Sequence, residues 1–133
     1  MRSWHDDHLT GYAVDGAARR ITFDISWPYE TETNVHRARV VFAGVEGYFF
    51  EHDLGGNILY AIEENSVEDF LRENAEWFER ERKWGWPLFW KSDVDGTMRH
   101  IFEARAKLFD ISTSYGLSGW IVAQSVEEHV LEV

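Results

Sequence analysis

The chain has 133 residues, no cysteine and a formal charge of −11, from 13 Lys and Arg against 24 Asp and Glu. This length predicts one domain, 1–133, and the missing cysteines exclude disulfides, thiolate catalysis and cysteine-held metals. The negative balance and scattered cations exclude a nucleic-acid binder, which needs a concentrated positive field. The start, Met1-Arg2-Ser3-Trp4-His5-Asp6-Asp7, has no apolar signal region, and no apolar run approaches membrane-spanning length. A soluble cytoplasmic protein with no membrane partner is the expectation.

Along the chain, a polar knot at His5-Asp6-Asp7-His8 leads into an apolar run to Val14. Asp15-Gly16 then supplies a strong hairpin signal, because a type I′ turn needs positive φ at both central positions. The next run, Arg20-Ile21-Thr22-Phe23-Asp24-Ile25-Ser26-Trp27, alternates apolar and polar and reads as a strand with one buried face, ended by Pro28. An acidic loop over 29–34 precedes a third strand over 35–42, with Ala38, Val40 and Phe42 on one face and Arg37 and Arg39 on the other. Gly44 and Gly47 bracket a bend.

The stretch 48–62 reads as two aromatic strands joined by a Gly55-Gly56-Asn57 turn, around which the other strands would be organised. A helix follows over 66–83, N-capped by Ser66, with Asp69 in the place of a capping box. Val67, Phe70, Leu71, Asn74 and Phe78 fall on one stripe, and Glu68–Arg72, Glu76–Arg80 and Glu79–Lys83 lie four apart on the outer face. Gly85 and Pro87 end it.

Beyond an aromatic connection over 84–90, a second Asp-Gly turn at Asp95-Gly96 launches a strand over 98–111, with Phe102, Ala104, Ala106 and Leu108 sharing a face. A turn over 112–119, a closing strand over 120–126 and a loose acidic tail over 127–133 complete the chain. The fold class expected is α+β, a curved, mostly antiparallel sheet of about six to seven strands with one long helix packed on it. A β-sandwich with an attached helix is the alternative.

The phrase His5-Asp6-Asp7-His8-Leu9, followed by a hairpin and a strand ending Val40-Val41-Phe42-Ala43-Gly44-Val45, covers roughly the first third of the chain. In that layout the chain resembles small bacterial domains of unknown function, some grouped as immunity proteins of polymorphic toxin systems. The resemblance implies a cytoplasmic protein that binds a cognate toxin by surface complementarity. It carries no catalytic residue across.

No stretch is a high-specificity catalytic or cofactor motif, and no cofactor is expected. Acid is concentrated, with eleven carboxylates against Arg72 and Arg80 between 46 and 81. One reading is a negative face that steers a basic protein partner, centred on Glu51, His52, Asp53, Glu68, Asp69 and Glu76. The plainer reading is a solvated helix face. The leading expectation is thus a non-enzymatic interaction module, a toxin-neutralising immunity protein being one form of it.

An enzyme reading uses His5, His8, His52 and Asp53 as ligands of a metal that activates water for hydrolysis. Against it, residues three apart on a strand point to opposite faces. Trp84, Trp86, Phe89 and Trp90 form either an aromatic recognition surface or, more simply, a seal between helix and sheet. A third reading is a carrier of a small apolar ligand inside the sheet, edged by Trp84 and Trp90. Free sheet edges also leave room for a homodimer.

Overall fold

A computed structural model describes residues 4–28 and 35–131; the acidic loop expected over 29–34 lies outside them. The strands are β1 (His8–Asp15), β2 (Arg20–Pro28), β3 (Val35–Ala43), β4 (Gly47–Glu51), β5 (Asn57–Asn65), β6 (Lys107–Tyr115), β7 (Ser118–Ala123) and β8 (Ser125–Leu131). Helices α1 (Val67–Glu81) and α2 (Val94–Glu103) separate β5 from β6, and a 3-10 turn, Arg82–Trp84, extends α1. The eight strands form one antiparallel sheet in the order β4-β7-β6-β5-β1-β2-β3-β8.

The sheet is folded on itself. Its halves, β1-β2-β3-β8 and β4-β7-β6-β5, are joined on one side by His8 opposite Ile58 and Leu9 opposite Asn57, and by Asp6 N–H to the Leu59 carbonyl at 2.9 Å and Leu59 N–H to the Asp7 carbonyl at 2.8 Å. On the other side, β3 runs into β4 and β7 into β8 across a shared bend, where the Gln124 N–H donates to the Ala43 and Gly44 carbonyls at 2.9 and 3.2 Å. Gly44, at φ +63°, makes the turn a Cβ would resist.

Alternation along the strands decides what lies between the halves. Leu9, Ile21, Phe23, Ile25, Val40 and Phe42 from one half meet Leu59, Phe109, Ile111 and Ile121 from the other. The Phe42 and Phe109 rings meet edge-on across the fold with centroids 5.7 Å apart. The far face of the second half holds a separate core, in which Leu108, Trp120 and Val122 are covered by Phe70, Leu71 and Phe78 of α1, Ile101 of α2, and Phe89 and Trp90 between the helices. Helices, half-sheet and half-sheet therefore stack in three layers.

Several expectations hold. β1 and β2 pair antiparallel, although the turn is not the type I′ turn expected at Asp15-Gly16 but a four-residue one over 16–19 with its positive φ at Arg19. Ala38, Val40 and Phe42 face inward while Arg37 and Arg39 face water. Ser66 caps α1 by accepting the Asp69 N–H, and Gly85 stops the helical path at φ +74°.

Other expectations are corrected. The described residues form eight strands and two α-helices. The 48–62 stretch is not a hairpin, because β7 and β6 lie between β4 and β5. Gly119 carries no side chain where the Phe49 carbonyl approaches, so β4 can seat against β7. Asp95-Gly96 is the first turn of α2, because Asp93 accepts the Gly96 N–H at 2.6 Å and caps a helix there. Phe102 consequently stands exposed on α2 while Leu108 is buried in β6. The turn expected over 112–119 shrinks to residues 116 and 117. The expected tail is an edge strand: β8 pairs with β3 from Ala43 opposite Ser125 to Arg37 opposite Leu131.

Candidate functional site: an acidic groove beside the first helix

Ser66 turns the chain from the end of β5 into α1, so the first turns of α1 rise beside the exposed strip of β6. A shallow groove of about 430 Å³ results, lined by Asn65, Ser66, Asp69, Phe70, Glu73, Asn74, Leu108, Asp110 and Trp120. Asp69, Glu73 and Glu76 follow one another at i, i+4 and i+7, a single ridge of the helix. On the strands, Glu63 lies directly opposite Asp110, an arrangement that costs stability when both carboxylates are charged. The Asn65 amide donates to Asp110 at 2.6 Å, and Asn74 donates to the Phe70 carbonyl.

Nearby cations are engaged elsewhere. Arg72 grips Glu68 at 2.8 Å, Arg82 takes Glu79 at 2.9 Å and Lys107 reaches Glu64 at 3.7 Å. The Glu68 carboxylate holds the Arg72 guanidinium further into its charged form. Among the described residues, Glu63, Asp69, Glu73, Glu76 and Asp110 form no ion pair, although the Asp69 charge also favours the cationic form of Arg72.

The residues expected to form one surface divide into two. Asp69 lines the groove and Glu76 extends its ridge, while Glu68 is neutralised by Arg72. Glu51, the last residue of β4, and His52 and Asp53 in the loop after it lie at the opposite end of β5, a strand whose nine residues span about 26 Å. Glu73, Asp110 and Glu63 lie outside the set expected for this surface. Helical spacing from Asp69 signals Glu73, but only the strand register brings Glu63 opposite Asp110.

The 52–57 loop is built on buried Asn57. Its side-chain oxygen accepts from Leu117 N at 2.8 Å and Leu54 N at 3.2 Å, while its amide donates to Asp53 at 3.0 Å. Asp53 also accepts from Gly55 N at 2.8 Å. The Asn57 hydrogen bond, then that of Gly55, holds the Asp53 carboxyl below its usual range. Partial burial, followed by the Asp53 charge and hydrogen bond, raises the Tyr12 hydroxyl.

The metal set His5, His8, His52 and Asp53 is not assembled. His5 bonds to Asp6 at 3.1 Å and meets the Tyr60 ring edge-on, and Asp53 is held by Asn57. Among the described residues no group of three or more His, Asp or Glu is placed to hold a metal ion.

The aromatic surface also divides. Trp90 is buried, donating its indole N–H to Glu79 at 2.8 Å, so it is no surface residue. Trp86 is half-buried among Phe49, Trp77, Phe78 and Trp120. Trp84 alone of the three stands in water, 74% exposed beneath the Lys83 ammonium. The space between the half-sheets, where an apolar ligand would sit, is filled by Phe23, Phe42 and their neighbours. No helix among the described residues is long and apolar enough to cross a membrane.

Compared with protein-family models, curated proteins and solved structures, the chain matches none of them.

Proposed function

We propose that the protein is a binding module for a basic protein partner, and that the groove between α1 and β6 is its working surface. The observation that carries this reading is the convergence of Asp69, Glu73, Glu63 and Asp110, none of which is held in an ion pair among the described residues. Carboxylates placed opposite one another weaken a fold, and such departures from local consistency concentrate at functional sites. A field of this kind speeds encounter with a cationic surface and weakens as salt is added. Neutralising a basic toxin, which the N-terminal phrase would imply by resemblance, is one task that suits such a surface.

The test is affinity capture from cells at low and high salt, with the wild-type chain and an Asp69→Lys, Glu73→Lys, Asp110→Lys variant as baits. Circular dichroism first establishes that the variant is folded. The expected result is a basic protein retained by the wild type in low salt, released by high salt and missed by the variant. Equal capture by both baits would remove the groove from the function.

A further inference from the structure

The two outer strands of the sheet are protected very differently. β8 carries Glu127, Glu128 and His129 at its middle, the charged kind of edge that discourages pairing with another chain. β4 reads Gly-Tyr-Phe-Phe-Glu, with charge only at its last residue, and among the described residues one side of it has no strand neighbour. β1 is also unpaired on its β5 side from Gly11 to Asp15. These two free edges border one mouth of the folded sheet.

The mouth is floored by aromatic rings. Tyr12 of β1 meets Phe50 of β4 edge-on at 5.1 Å, and Tyr48 lies 5.2 Å from the same Phe50. Tyr12, Val14 and Tyr48 each keep more than a third of their surface in water. At one end a groove of about 140 Å³ runs between Val14 and Asp15 of β1, Gly47 and Tyr48 of β4, and Arg19 and Glu46. Here Arg19 and Glu46 pair at 3.0 Å, so their charges offset each other. At the other end Glu51 and Asp53 are exposed.

We infer that an extended segment of the partner adds as a strand along the free edge of β4, with apolar side chains on the Tyr12–Tyr48–Phe50 floor and a cation beside Glu51 and Asp53. Backbone N–H and C=O groups on a bare strand edge are matched by another strand, and alternate side chains then read the surface below. The choice of a cationic segment rests on the basic-partner reading above, whereas the mode of binding rests on the bare edge and its aromatic floor. The acidic groove beside α1 would act as the second, long-range contact.

The experiment is an amide-resolved NMR titration of the full chain with a short capped peptide of one Lys followed by alternating Val and Thr. Two controls are the same peptide with Glu for Lys, and the same peptide N-methylated at alternate residues. The expected result is shifts at 47–51 and 12–14, lost on N-methylation, weakened several-fold by Glu for Lys, and abolished in Tyr48→Lys, which places a charge on the edge. Glu51→Lys, a milder surface change, should remove the preference for the Lys peptide while retaining strand addition.

Shifts confined to Asp69, Glu73 and Asp110 would overturn strand addition while leaving the basic-partner reading standing. No shifts at millimolar peptide would overturn the inference. Dimerisation of the free chain by sedimentation, reversed by Tyr48→Lys, would assign the edge to a second copy and overturn it as well.

Discussion

Asn57 makes three hydrogen bonds from a nearly fully buried position, two within the 52–57 loop and one to the turn between β6 and β7. Asn57→Ala would leave the buried Leu117 N–H without an acceptor, which costs about 1–3 kcal/mol. A denaturant melt should show that loss. Asp53 provides an independent readout in the same variant. Its native pKa is depressed, so its contribution to stability is full above the unfolded carboxyl pKa and disappears as pH falls through the native one. Without the Asn57 amide, the Asp53 titration seen at the Gly55 amide should move up toward the ordinary carboxyl range. An unmoved titration would mean that Gly55 and Tyr12 hold the charge without Asn57. Gly116 is tied to the same residue, since a Cβ there would collide with the Asn57 side-chain oxygen.

At the scale of elements, α1 is joined to the sheet chiefly through rings. Phe78 is fully buried, with centroids 5.6–5.8 Å from Phe70, Phe89, Trp90 and Trp120. Truncating such a ring removes burial and leaves a cavity, so Phe78→Ala should destabilise by about 3–5 kcal/mol. Trp84→Ala, on a side chain standing in water, should change stability by no more than about 0.5 kcal/mol. A chemical-denaturation series on the two variants separates sealing aromatic from surface aromatic. Comparable losses would contradict the burial described here. The same seal sets the first turns of α1 beside β6, so loosening it should also weaken capture of the proposed basic partner.

For the whole molecule, β8 distinguishes a strand from a tail. It pairs with β3 along its length, its Glu128 accepts the Trp4 indole N–H at 2.6 Å, and Val126 packs on the inner core. Deleting 125–133 should lower the melting temperature by about 10 °C or more, since 1 kcal/mol corresponds to several degrees in a domain of this size. A loose tail would leave the melt unchanged.

The sequence by itself determined the local features: the β1–β2 hairpin, the inward face of β3, the Ser66 cap and Gly85 stop of α1, and the excess of acid between 46 and 81. Each depends on residues within a few positions of one another, through turn chemistry, period or capping. Tertiary structure decided whether Asp95-Gly96 turned a hairpin or opened a helix, which depended on Asp93 and on a sheet ready to bury Ile101. It also decided the neighbours of β4, because the space left by Gly119 admits a carbonyl some 70 residues earlier in the chain. The candidate site follows the same division. The Asp69–Glu73–Glu76 ridge follows from helical spacing, whereas Glu63 and Asp110 meet only through strand register. Pairing between distant segments depends on how both fit a common core, and a period read along one segment carries no information about the other.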